Sequence, residues 1–297
     1  MRIQLLGPLG AEINGNSVLP TARKPRQLLA LLALHPGRLL PAGTLIEEIW
    51  GTDPPPGAPA TLQTYILQLR RHLHTALTTN TGTGTGAGTG AGTGTGTGAG
   101  TGGGRPRGAK DVLTGRHGGY LLRIPAPSVD VHTYESLLAH GHRSYEQGDD
   151  HSAATALRTA LALWQGPALV DVTTGPILRI EVLRLQESRL GTTERRIDMD
   201  LRLGRHTQLL AELTELTARH PRHEPLHAQA MVALYRSGRQ ARALDVYRRL
   251  RTRLIEDLAV EPSPPLQRLH QAVLNVDPAL TVRAGPRRAS TFDLYAR

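Results

Sequence analysis

The sequence predicts two domains of different class, a small mixed α+β domain at the N-terminus and an all-α domain behind it. Short strand-like runs around Asn14-Gly15-Asn16 open the chain. A helix near 59–77 carries one apolar stripe and a polar opposite face. From about residue 130 onward the periodicity is helical throughout, with glycine at recurring offsets.

Arg2–Leu6 alternates loosely and stops at Gly7-Pro8, a strand and a turn. Ala11–Ile13 and Ser17–Leu19 flank Asn-Gly, whose two residues tolerate the positive φ of a tight hairpin. A helix then begins at Pro25 and runs to Leu34. Proline is tolerated in a first turn because its missing N–H would be unpaired there. Leucines surround this helix, so it is the expected core helix. Pro36-Gly37 stops it, and Arg38–Pro41 reads as extended. Thr44–Trp50 is the second helix, with Thr44 as N-cap and Glu47 completing a capping box. Asp53-Pro54-Pro55-Pro56-Gly57 is a rigid exposed connection.

The third helix organises the rest. Leu62, Ile66, Leu69 and Leu73 stack on one face. At about 100° per residue, Thr64, Gln68 and Arg71 point the other way, flanked by Thr61, Arg70 and His72. Amides and hydroxyls suit base edges, and guanidinium groups suit phosphates or guanine. A surface helix can also carry such residues with no function, so the neighbouring segments decide. Thr81–Gly104 is almost pure Gly-Thr-Ala and is expected to be disordered, reaching roughly 27 Å as a glycine-rich coil. Its Gly-x-Gly-x-x-Gly matches arise from low complexity and follow no strand, so nucleotide binding is rejected. Val112–Thr114, the turn Gly115–Gly119 and Tyr120–Ile124 then read as strand, turn, strand. The tract is thus an insertion within a winged helix-turn-helix spanning 1–124. Arg116 at the turn can lie over a backbone or in a minor groove, or be a solvated arginine.

Pro125-Ala126-Pro127 is the expected boundary. The helices expected beyond it are His132–Gln147, His151–Trp164, Ile177–Leu203, His206–His220, Pro225–Arg236, Gln240–Leu258 and Pro264–Leu274. Gly204 and Gly238 lie 34 residues apart, the tetratricopeptide period, whereas Gly148 and Gly204 lie 56 apart. Tyr145-x-x-Gly148 with Ala153, Leu201-x-x-Gly204 with Leu209, and Tyr235-x-x-Gly238 with Ala243 share one pattern. Stacked helix pairs of this kind offer a concave surface for a protein or peptide. A basic, disordered tail is expected over 278–297, giving an all-α domain of 125–277.

The formal net charge of +10 is uneven. Residues 1–124 hold 12 Lys/Arg against 5 Asp/Glu, net +7, and the remainder holds 23 against 20. That asymmetry suits a polyanion bound by the first domain. With no cysteine there is neither a disulfide nor a thiolate metal site. No apolar run reaches 18 residues, so no membrane partner is expected, and the reading is a cytoplasmic protein. Carboxylates are scattered and no nucleophile sits in a recognisable setting, so no catalytic residue, cofactor or enzymatic role is assigned. His220, His223, Glu224 and His227 are the one metal-like cluster. Pro221 and Pro225 interrupt it, and a solvated helix start is preferred, with no metal site.

The order of motifs resembles the Streptomyces antibiotic regulatory protein family. It is carried by Arg26–Leu32, Leu45–Gly51, Asp53-Pro54-Pro55, Thr61–Tyr65 with Leu69-Arg70-Arg71, and Gly118–Leu122. It extends through Asp130–Leu138, Ala160–Gly166 and Gly238–Glu261, covering about 1–275. The resemblance implies a response-regulator-type winged helix and a bacterial transcriptional activation domain. It implies an activator of secondary-metabolite gene clusters that binds direct repeats in duplex DNA as side-by-side protomers and recruits RNA polymerase holoenzyme. Thr61, Gln63, Thr64, Tyr65, Gln68, Arg70 and Arg71 are then the DNA-binding residues of the recognition helix. Arg116 and His117 are those of the wing. Gly51, Thr52, Asp53, Pro54 and Pro55 face polymerase, and the helical domain supports a homodimer. The Gly-Thr tract is longer than the family's usual connection. None of the ATPase, forkhead-associated or sensor modules of larger relatives is visible, so no built-in signal input is expected. A tetratricopeptide-type scaffold or a ligand-sensing regulator is the competing reading, and it leaves the basic first domain without a role.

Overall fold

The computed structural model describes residues 1–79 and 108–281. The Gly-Thr tract expected to be disordered lies outside them, as do residues 282–297 of the expected tail. Two compact units are present. One comprises Met1–Glu135 with Leu163–Glu187, the other Ser136–Ala162 with the chain from Ser188.

In the first unit, β1 (Arg2–Gln4), β2 (Gly10–Ile13) and β3 (Asn16–Ser17) form an antiparallel sheet in that order. Asn14 and Gly15 both have positive φ, 53° and 83°, as a two-residue hairpin turn requires. Helix α1 (Arg23–Leu34) is buried on nearly every side, as its leucine-rich sequence dictates. Strand β4 (Leu40–Pro41) leads directly into α2 (Ala42–Trp50). The expected capping box at Thr44 is absent because the helix starts two residues earlier. Ala42 N donates to Gly118 O at 2.7 Å, so the helix entrance is tied to another segment and Thr44 already lies inside the first turn. Helix α3 (Ala58–Thr78) follows. A short α4 (Ala109–Val112), where strand was expected at Val112, precedes β5 (Leu113–Arg116) and β6 (Gly119–Leu122). These pair in the order β4-β6-β5, which makes the extended piece before α2 the third strand of the wing sheet.

The stretch after Pro125-Ala126-Pro127, as far as Glu135, packs with this unit. Helix α5 (Asp130–Glu146) begins with Asp130, whose carboxylate accepts from Leu5 N and Leu6 N at 2.9 Å. Burial pushes the Asp130 carboxyl up, and those backbone donors pull the other way. Tyr134 meets Trp164 edge to face at 5.6 Å. Asp171 accepts from Leu9 N at 2.7 Å and pairs with Arg26. The buried Glu48 carboxylate receives Gly175 N, Ile177 N and Leu178 N at the start of α7 (Pro176–Arg202), and Gln27 Nε2. A carboxylate there satisfies amides that the helix itself leaves unpaired.

The second unit holds α6 (Asp150–Ala162), α8 (Leu210–Arg219), α9 (Glu224–Arg236), α10 (Gln240–Leu258) and α11 (Pro264–Leu274), with the C-terminal parts of α5 and α7. Gly148, Gly204 and Gly238 all have φ between 72° and 78°. At each, the following amide bonds back to the carbonyl five residues earlier at 2.9 Å: Asp149 to Ser144, Arg205 to Asp200, Arg239 to Leu234. This is the Schellman closure of a helix. Ala153, Leu209 and Ala243 are buried just beyond, as the repeated pattern requires. Leu213, Met231, Leu250 and Leu269 share one apolar cluster across α8 to α11. Helix α8 is shorter than expected, because His206–Leu209 forms a turn closed by Leu209 N to His206 O. The first residues of the expected tail are ordered. Pro278–Leu280 is a turn of 3-10 helix, Leu280 is buried, and its carbonyl accepts Arg236 Nε at 2.7 Å.

The start of α9 is packed, not solvated as expected. Glu224 accepts from Ser263 N, His223 Nε2 lies 3.2 Å from Glu194, and His227 is only 7 % exposed. Burial is the largest influence holding the His227, His206 and His270 imidazoles below their ordinary value of 6.5. The unfolded chain therefore takes up protons at these positions more readily than the fold. Their penalty is absent well above 6.5 and grows as pH falls through that value. Thermal melting of the second unit should shift to lower temperature between about pH 7.5 and 5, and His227→Leu should flatten that dependence. An unchanged slope in the variant would contradict this assignment.

Candidate nucleic-acid interface

Helix α3 is amphipathic for the reason its spacing gives. Leu62, Ile66, Leu69 and Leu73 are each at most 2 % exposed, and Ala76 continues the stripe. Gln63, Thr64, Arg71 and His72 are exposed, and Thr61 and Gln68 are half-buried at the edges of the face. The Thr61 hydroxyl donates to Gly57 O at 3.0 Å and the Thr64 hydroxyl to Ala60 O at 3.1 Å. With their protons engaged by the helix, both oxygens present lone pairs outward, suited to an amino group on a base edge. Leu67 belongs to the same face and was missed in the sequence. It is 52 % exposed, three residues after Thr64 and four before Arg71. That 3-4 spacing was the available signal.

Two of the expected contact residues also serve the fold. Tyr65 stacks on Trp50 with ring centroids 6.1 Å apart and planes 14° apart, and Lys24 Nζ lies 4.8 Å from the Trp50 ring centre. Tyr65 thereby fixes α3 against the end of α2. Arg70 is half-buried, and its Nε donates to Leu113 O at 3.0 Å. One guanidinium arm fills the space beside Gly115. Arg70 therefore fastens α3 to the first strand of the wing. Nothing local in the sequence signals this bond, because its partner is 43 residues away.

The wing tip, His117-Gly118, exposes Arg116 and His117. Gly118 has φ 76°. A Cβ at Gly119 would come within 2.3 Å of Leu40 O, so only glycine lets β6 pass β4. The loop between α2 and α3 exposes Thr52, Asp53, Pro54 and Pro55. Gly51, φ 73°, closes α2 through its N–H to Glu47 O at 2.7 Å, and Ala58 N bonds Pro55 O at 2.9 Å at the far end. The loop is thus pinned at both ends with its middle in solvent. Helix α3, the wing and the α2–α3 loop all lie in the first unit. Among the described residues no group of three or more His, Asp or Glu is placed to hold a metal.

A family model described as "Transcriptional regulatory protein, C terminal" matches residues 16–88, and one described as "Bacterial transcriptional activator domain" matches 129–274. Regulatory protein DnrI of Streptomyces peucetius is 48 % identical over 286 residues, covering 96 % of each chain. The chain belongs to the Streptomyces antibiotic regulatory protein family. Regulatory protein AfsR of Streptomyces griseus is 36 % identical over 94 % of this chain, which spans 25 % of that longer protein. The solved structure of Mycobacterium tuberculosis EmbR in complex with a low-affinity phosphopeptide is similar, with TM-score 0.79 and 29 % identity. That similarity covers 93 % of this chain and 65 % of EmbR. The family is one of transcriptional regulators. Its two parts are here a winged helix-turn-helix and a helical activator domain.

If Arg70 fastens helix to wing, Arg70→Ala should loosen the hairpin before it unfolds the domain. A hydrogen bond from a charged donor contributes about 1.5–3 kcal/mol. Amide exchange at Tyr120–Leu122 should accelerate by about tenfold or more while α1 keeps its protection. Equal acceleration in both would contradict a local role.

Proposed function

We propose that this chain is a sequence-specific DNA-binding transcriptional activator, acting in the cytoplasm on a secondary-metabolite gene cluster. The observation that carries the reading is the outward face of α3, which presents Gln63, Thr64, Leu67 and Arg71 to solvent with Thr61 and Gln68 at its edges while its other face is core, and which is fastened to the wing by Arg70. This element is long enough to lie in a major groove and rigid enough to keep its side chains in register with base edges. Thr61, Thr64 and Gln68 read those edges, with Gln63 alongside. Arg71 neutralises phosphate, and Arg116 and His117 meet the backbone or minor groove beside it. Arg70 and Tyr65 contribute chiefly by holding the helix in place.

Protomers bind direct repeats near the promoter side by side, as a homodimer at least on DNA. The exposed loop Gly51–Pro55 meets RNA polymerase holoenzyme. The support is family membership, with the basic excess of residues 1–124 and the loop's exposure. The role is non-catalytic, in keeping with a family of transcriptional regulators.

Footprinting the purified chain on its own upstream region, with and without RNA polymerase, tests the reading. Protected, regularly spaced repeats that polymerase extends would support it, and no protection even at low salt would sink it. On a protected site, Arg71→Ala should weaken binding to all sequences and reduce the salt slope by about one. Gln68→Ala should instead cost roughly 1–3 kcal/mol at one base pair and relax specificity there. Equal loss on specific and random duplex after Gln68→Ala would remove that residue from direct readout.

A further inference from the structure

In the second unit a groove of about 740 Å³ lies between α8, α9 and α10. Its floor is apolar, formed by Leu210, Leu213, Leu234, Val246 and Leu250. Its rim is basic. Arg242, Arg249 and Arg253 line it from α10. Together with Val246 they fall at intervals of four, three and four residues, which places them on one helical face. All three are exposed, and none forms a salt bridge among the described residues. Asp245, also on the lining, is already paired with Arg248 at 3.0 Å. Glu256 is the remaining carboxylate of the lining, one turn beyond Arg253.

We infer that this groove takes an acidic amphipathic helix of a partner protein. The apolar floor accepts one face of such a helix, and the three guanidinium groups accept carboxylates along its edge. Arg242 to Arg253 spans about 16 Å of helix, so the occupant is about three to four turns long. Charge rules out the chain's own remaining segments. The tract 81–104 has no carboxylate, and the residues after 281 carry Arg283, Arg287, Arg288 and Arg297 against Asp293. The groove fits single-stranded nucleic acid poorly, since its lining has no Tyr, Trp or Phe on which bases could stack.

The test needs no promoter DNA, so its failure is separate from failure of the DNA-binding reading. A fluorescein-labelled leucine–glutamate peptide of about four turns, with leucines at helical spacing, is titrated into the full chain by fluorescence anisotropy. A leucine–lysine counterpart and a random duplex serve as controls. Micromolar binding of the glutamate peptide is expected, weakened at least about tenfold by Arg249→Glu with Arg253→Glu. The same double variant should gain the lysine peptide, which also shows that it is folded. Absence of glutamate-peptide binding at low salt, or equal binding by the double variant, would overturn the assignment. Displacement of the peptide by duplex would overturn it too, giving the arginine stripe to nucleic acid.

Discussion

The first unit depends on one buried carboxylate. Glu48, 1 % exposed, lies on α2 and receives N–H groups from Gln27 on α1 and from Gly175, Ile177 and Leu178 at the start of α7. A buried charge is tolerable only when donors surround it, and here they come from segments far apart in sequence. Through that network the carboxylate sets where α2 lies. Trp50, two residues further along α2, then sets α3 through its stack with Tyr65. Arg70 passes the constraint on to the wing. The outward face of α3 is therefore positioned by interactions made entirely on its other sides. Under the proposed reading, the side chains that meet DNA need not also hold the fold.

Local signals were legible in the sequence and long-range ones were not. Asn14-Gly15 announced its hairpin because the two residues that permit positive φ are the turn itself. Gly148, Gly204 and Gly238 announced three helix ends for the same reason. The stripe Leu62, Ile66, Leu69, Leu73 fixed the buried side of α3 and hence its polar side. The sequence could not show that Thr44 would sit inside a helix whose entrance is tied to Gly118, nor that Asp130 and Asp171 would bind the N-terminal sheet region. Those bonds join residues more than 70 apart, and no spacing rule reaches them. Leu280 was missed because a single buried leucine in a proline-rich stretch has no period.

The same division explains which positions on α3 the sequence could place. Exposure of Thr64 and Arg71 follows from helical phase alone. The holding roles of Tyr65 and Arg70 depend on Trp50 and Leu113, partners the helix does not contain. Leu67 is a leucine whose type suggests core but whose helical phase puts it outside. In the second unit the contrast recurs: the helix ends were readable, whereas the basic-rimmed groove exists only once α8, α9 and α10 are packed.

The most direct measurement exploits the absence of cysteine. Single thiols placed at Thr64→Cys, Arg116→Cys and, as a control on exposed α6, Thr155→Cys can be alkylated with and without a duplex selected by the full chain. Protection is expected at positions 64 and 116 by the selected duplex, much weaker protection at 64 by random duplex, and none at 155. Uniform reactivity at all three positions, or protection confined to 155, would contradict a sequence-reading role for the outward face of α3.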